Sequence, residues 1–282
     1  MSKETTFAVS IGERQLFIDD RGVARATCLE RTLHPPVKKG AVIRPTALNG
    51  DLETRNAPIW DPATETYRIW LIGDAGKYWE SRDGLHWNRP YAGEEEARRC
   101  QVQTPDGVRR FYLVVRDPDD AELPFKAVLP STGFAASRDG VRWQLMDVPA
   151  IRSSDEQNIS LDLSRHQFIY TFKMRGPYGR SVWLSTSPDF AAWSDPRLVF
   201  HADDVDQLLG VEHIRARLGD TSLLPRHAND PAVYNVDVYN MGVFAYEGLY
   251  LGTPAMFHAV APTPDGHNRW GFHLVQLVSS RD

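Results

Sequence analysis

Short apolar runs separated by turn residues dominate this chain of 282 residues. Tyr67-Arg68-Ile69-Trp70-Leu71-Ile72 and Phe111-Tyr112-Leu113-Val114-Val115 are rich in aromatic and β-branched side chains, which predicts strands. Leu16-Phe17-Ile18-Asp19-Asp20 predicts another near the N-terminus, before a Pro-rich connection at His34-Pro35-Pro36. Strand character returns at Val233 and runs through Phe257. One stretch has a different period. Leu208, Val211, Ile214 and Leu218 recur at helical spacing and predict a short amphipathic helix inside an insertion over 201–232.

The turns between strands repeat. Ser81-Arg82-Asp83-Gly84-Leu85-His86-Trp87 returns as Ser137-Arg138-Asp139-Gly140-Val141-Arg142-Trp143 and as Ser187-Pro188-Asp189-Phe190-Ala191-Ala192-Trp193. A fourth copy begins at Ser280-Arg281-Asp282. The spacings of 56 (137 − 81) and 50 (187 − 137) residues are those of propeller blades, not of helical repeats. Asp-Gly favours a tight turn because glycine accepts positive φ at little cost. The Trp that follows is placed to pack between neighbouring blades.

The pattern therefore predicts an all-β fold, a five-bladed-type β-propeller in one domain over 1–282. An opening strand and connection occupy 1–50, and blades lie roughly at 51–95, 96–150, 151–200 and 233–282. The last blade is expected to be incomplete. A fragment of a longer chain, or a ring closed by another subunit or second chain, accounts equally for that.

Composition narrows the classes. A formal net charge of −5, with 24% charged residues, argues against a nucleic-acid surface, and no stretch reads as a membrane span. Two cysteines far apart, Cys28 and Cys100, exclude a disulfide framework, and no Cys/His spacing suggests zinc. The first six residues lack a signal-peptide core, so a native N-terminus implies a cytoplasmic protein. Eight Trp and ten Tyr suit both strands and the stacking faces that sugars need.

Several stretches resemble the glycosidases related to the invertase/levanase and arabinanase/xylosidase propeller families (families 32 and 43). These are Leu16–Asp20, the Ser-Arg-Asp-Gly-x-x-Trp copies, Asp155-Glu156-Gln157-Asn158, Ser187–Pro196 and Tyr246-Glu247-Gly248-Leu249-Tyr250-Leu251-Gly252. The resemblance implies an axial funnel lined by the innermost strand of each blade. It also implies carboxyl groups that protonate the leaving oxygen and activate water or attack directly. It implies no organic cofactor, and an axial cation is allowed without being demanded.

On that basis the candidate carboxylates are Asp155 or Glu156, placed where these families put a catalytic acid, together with Asp237 and Glu247. Strand alternation puts Asp237 and Tyr239 on one face. Arg175 and Arg180, flanking Gly176-Pro177-Tyr178-Gly179, fit contacts to sugar hydroxyls or to a carboxylate on an acidic sugar. Arg55, Asn56, Asn158 and Tyr239 complete the expected substrate-binding set. Asn56 stands near where related hydrolases have an acid, a departure from their pattern. Asp61-Pro62 reads as a turn, and Asp117 follows a strand instead of opening one. His213, His227, His258, His267 and His273 show no ligand spacing and read as structural or surface residues.

The leading expectation is a glycoside hydrolase. The rival is a non-catalytic carbohydrate-binding or assembly propeller. A phosphorylase would need a basic phosphate pocket beside one acid. A hydrolase requires two carboxyls facing one funnel, roughly 5–10 Å apart.

Overall fold

The computed structural model describes residues 7–9, 11, 12, 14–45, 50–73, 77–224, 228–267 and 269–282. The first strand, β1 (Leu52–Glu53), precedes blade I. Blade I contains β2 (Ile59–Asp61) and β3 (Thr66–Trp70); β4 (Ile72–Gly73) turns aside to pair with β1; β5 (Tyr78–Ser81) and β6 (Trp87–Asn88) finish the blade. A helix, α1 (Glu94–Cys100), and a hairpin, β7 (Gln101–Thr104) with β8 (Gly107–Arg110), come next. Blade II is β9 (Leu113–Arg116), β10 (Phe125–Leu129), β11 (Gly133–Ser137) and β12 (Trp143–Leu145). Blade III is β13 (Gln157–Asp162), β14 (Gln167–Gly176), β15 (Gly179–Ser187) and β16 (Arg197–Phe200).

The predicted helix forms as α2 (Asp204–Gly219), capped by the Asp203 carboxylate, which accepts from the Val205 and Asp206 amides. Ile214 is its fully buried anchor, against Val260 and Ala261. Blade IV follows with β17 (Asn235–Tyr246), β18 (Leu249–Pro262), β19 (Arg269–Val275) and β20 (Val278–Ser280). Here β19 and β20 pair with opposite ends of the same strand, β18, so together they occupy the third-strand position. The fold is a β-propeller with four blades among the described residues, and the last lacks the outermost strand that β6, β12 and β16 supply elsewhere.

The repeated signature falls at the end of the third strand each time. In blade II, Ser137 Oγ accepts from Gly140 N at 3.0 Å, and Asp139 Oδ1 accepts from the Val141 and Arg142 amides at 2.8 Å. Blades I and III repeat the Asp contacts through Asp83 and Asp189. Ser280 and Asp282 begin the same arrangement at the end of β20. The signature Trp then packs onto the preceding blade. Trp143 meets Trp70 edge-on at 6.5 Å, and Trp193 stacks on Phe134 at 5.0 Å. Pairs of this kind contribute about 1 kcal/mol each beyond their buried area.

The strand predicted at Leu16–Asp20 does not form. That segment is irregular, with Phe17 at φ 50°, and charged side chains fasten it to blade IV instead. Arg14 Nε contacts Glu247 Oε1 at 2.9 Å, and Arg281 Nη2 contacts Asp19 Oδ1 at 3.1 Å. The Glu94-Glu95-Glu96 block opens α1, where acids complement the helix N-terminus. No helix among the described residues is long and apolar enough to cross a membrane.

Candidate active site

The first strands of the four blades, β2, β9, β13 and β17, are the inner strands, and the candidate site gathers where they begin. Glu156, immediately before β13, is buried, 3% exposed. Arg55, ahead of β2, reaches across to it: Nη2 lies 2.7 Å from Oε1 and Nε 2.5 Å from Oε2. The same guanidinium contacts Glu53 at 2.7 Å. Asn240 on β17 donates to the second Glu156 oxygen at 3.0 Å, and Asn158 donates to Asn240.

Asp155 is more open and is held by Lys173 Nζ at 2.7 Å. That lysine lies 4.0 Å from the centre of the Tyr239 ring, and the Arg180 guanidinium lies 5.0 Å from it. Arg180 Nε is 3.0 and 2.9 Å from the two oxygens of Asp237. His273 and Phe257 complete an aromatic cluster around Tyr239, with His273 4.8 Å away edge-on. Asp155, Glu156, Asp237, Arg55, Asn158, Arg180 and Tyr239 therefore belong to one connected set.

A backbone irregularity helps to build it. The β17–β18 register shifts between Val238 and Asn240, leaving Tyr239 as an extra residue. Bulges of this kind re-aim side chains. Tyr239 thereby reaches Lys173 and Arg180 while its neighbour Asn240 reaches Glu156, which simple alternation forbids. Gly179, at φ 119°, supplies the close approach beside Asp237. A Cβ there would sit 2.9 Å from Asp237 Oδ2.

The two neighbouring carboxyls are driven apart. Burial raises the Glu156 pKa, and this outweighs the opposing pull of Arg55 and Lys173. Burial also acts upward on Asp155, but there the hydrogen bond and charge of Lys173 win and hold the carboxyl below the usual range. Burial pushes the Tyr239 phenol up, with Glu156 and Asp155 adding to the shift. Burial and Arg180 push His273 down, so its ring favours the neutral form.

Not every candidate joins this set. Glu247 occupies the β17–β18 turn at φ 49° and is bound by Arg14. It lies at the other end of a strand of 12 residues, roughly 30 Å from Asp237, so it is removed from the carboxylate set. Asn56 donates its side-chain amide to the carbonyl of Val114 in β9 and so joins blade I to blade II. Asp61 forms the expected turn, accepting from Ala63 N and pairing with Arg68. Arg175 is exposed and, among the described residues, has no ion-pair partner; it borders a cavity beside the cluster.

His213 and His258 pair through Nδ1 and Nε2 at 3.2 Å, joining α2 to β18. His227 lies outside the described residues. His273 and His267, set aside in the sequence, border the site. Lys173, Asn240, Glu53, Phe257 and Arg269 were also missed. Lys173 carried a signal, as the lone charged residue in the largely aromatic and aliphatic run Gln167–Met174, buried at 7% exposure. One group among the described residues could hold a metal ion: Asp117, Asp119 and His166. It lies at the far ends of β9 and β13, away from Glu156, with His166 Nε2 3.2 Å from Asp117 Oδ2.

No family model matches the chain, and no curated protein matches it in sequence. Among solved structures, an N-acetylgalactosamine deacetylase from F. plautii aligns with a TM-score of 0.41 at 12% identity, over 85% of this chain and 74% of its own. A Penicillium chrysogenum alpha-L-arabinanase aligns at 0.38 and 10% identity, over 79% and 56%. A Bombyx mori GH32 beta-fructofuranosidase aligns at 0.35 and 12% identity, over 80% and 49%. The chain spans about half the length of these last two.

Proposed function

We propose that this propeller is a glycoside hydrolase in which Glu156 is the general acid. The observation that supports it is the contrast between two adjacent carboxyls at the start of one inner strand: Glu156, buried with its pKa raised, and Asp155, held ionised by Lys173. Pairs whose environments separate their pKa values divide acid and base roles in this way. Glu156 would protonate the leaving oxygen, and Asp155 would direct water or stabilise positive charge developing at the sugar carbon. Tyr239, with Phe257 beside it, offers an apolar face for a sugar ring, while Arg180 and Asn158 supply hydrogen-bond donors.

A second reading has its own support. Glu156, Asp155 and Asp237 each already face a cation, as a carbohydrate-binding propeller without catalysis would allow. Hydrolysis of a panel of aryl glycosides and oligosaccharides, by the parent and by Glu156→Gln, separates the two. The hydrolase reading expects cleavage that falls by at least about a hundredfold in the folded variant. A folded parent that binds glycans without cleaving any would establish the binding propeller instead.

A further inference from the structure

A second group of chemically competent side chains lies outside the Glu156 set, where blade II meets blade III. Strand β9 ends at Arg116, and Asp117 and Asp119 follow it in the loop toward β10. His166, 49 residues further along than Asp117, stands in the turn between β13 and β14 with φ at 47°. One donor atom from each of the three lies within 4.8 Å of the others. Because the three come from two different blades, no local spacing in the sequence announces them.

Asp117 is the member that lacks compensation. Six carboxylates among the described residues are buried, and four of them, Asp61, Glu96, Glu156 and Asp237, each face an arginine. Asp162 accepts instead from the hydroxyls of Ser164 and Tyr250. Asp117, 3% exposed, has neither kind of partner. It accepts one amide, Asp119 N at 3.0 Å, and faces the His166 ring. Burying a charge without a counter-charge is costly, so this carboxylate is short of a cation that no lysine or arginine among the described residues supplies.

The ring sits as a fellow ligand would. His166 Nε2 is nearly equidistant from the two Asp117 oxygens, at 3.2 and 3.3 Å, so a single N–H would be split between them. Zinc–ligand bonds of about 2.0–2.1 Å place neighbouring tetrahedral donors about 3.3 Å apart, which matches this separation. Asp119 is exposed and free to swing inward as the third ligand. We infer that Asp117, Asp119 and His166 form a site for one divalent transition-metal cation of the zinc class, with water completing its coordination. Two carboxylates balance the charge of the dication, and the imidazole selects against calcium and magnesium, which prefer oxygen donors throughout. The ion fastens the exit of β9 to the β13–β14 turn, at the strand ends remote from Glu156.

Calorimetric titration of the chelator-stripped full chain with the chlorides of Zn²⁺, Mn²⁺ and Ca²⁺ tests this. The parent should bind one equivalent of Zn²⁺ at least about tenfold more tightly than Mn²⁺, with Ca²⁺ weaker still. Asp119→Asn, a change of matched shape at an exposed side chain, should weaken Zn²⁺ at least about tenfold, and His166→Gln should do the same. His86→Ala removes an exposed Asp83–His86 pair elsewhere and should leave the titration unchanged. The unfolding temperature should rise with Zn²⁺ in the parent and not in Asp119→Asn. Zinc held as tightly by the folded Asp119→Asn variant as by the parent would overturn the site, as would a parent that binds none. Calcium bound as tightly as zinc would overturn the assignment to a transition metal, and an unfolding temperature indifferent to zinc would overturn the link between blades.

Discussion

Arg55 and Glu156 join blade I to blade III across the head of the propeller, with two nitrogen–oxygen contacts of 2.7 and 2.5 Å. The pair does two things at once. It ties the start of one inner strand to the start of another, and it tempers the upward push of burial on the Glu156 pKa.

Arg55→Met should therefore leave Glu156 with Asn240 alone as a donor in a buried setting. Removing one partner of a buried ion pair costs about 3 kcal/mol, which urea unfolding would read directly. Adding Glu156→Gln to the variant should recover part of that loss, because the buried charge goes too. A single-variant loss below about 0.5 kcal/mol, the usual range for surface changes, would mean that the pair contributes little to stability.

Gly179 is the second point of leverage. Its φ of 119° disfavours any other residue, and an added Cβ would press on Asp237. Gly179→Ala should destabilise the β14–β15 hairpin by about 1 kcal/mol or more and weaken glycan binding or turnover roughly tenfold or more by shifting Asp237 and Arg180. Full binding in a folded variant would show that Asp237 is not part of the substrate site.

The signature aspartates should behave quite differently. Asp139 takes two backbone amides, and its pKa is lowered because the Arg142 and Val141 amide bonds outweigh the opposing effect of burial. Asp139→Ala should cost about 1–2 kcal/mol with glycan binding unchanged. Asp282→Ala, at the exposed and incomplete copy, should stay within about 0.5 kcal/mol. An activity loss in Asp139→Ala at full stability would contradict a purely structural role.

Much of this architecture was legible in the residues. Ser81, Ser137, Ser187 and Ser280 mark the ends of the third strands, because the Ser-x-Asp turn is satisfied locally and needs no distant partner. The site was harder to read. Asp155, Glu156 and Asp237 could be found because acids before strands stand out in sequence. Lys173 and Asn240 depend on blades that meet only in three dimensions, and on the extra residue at Tyr239 that overrides alternation. Glu247 misled because proximity to Asp237 along the chain means opposite ends of a long strand.

The pH dependence of stability tests the assignment of acid and base most directly. The folded pKa of Glu156 lies above its ordinary 4.5, so the folded chain keeps a proton that the unfolded chain has released. That group's contribution is full below 4.5 and declines as pH rises through the raised value. Asp155 runs the other way: its folded pKa lies below 3.8, so its contribution is present above that value and is lost as pH falls further. The stability of the parent relative to Glu156→Gln should thus be most favourable near about pH 4 and decline toward neutrality. Relative to Asp155→Asn it should hold at neutral pH and decline below about pH 4. Urea unfolding of the three proteins between pH 3 and about pH 7.5 would measure both slopes. Parallel curves for the parent and Glu156→Gln would remove the raised pKa, and with it the reason to place the catalytic proton on Glu156.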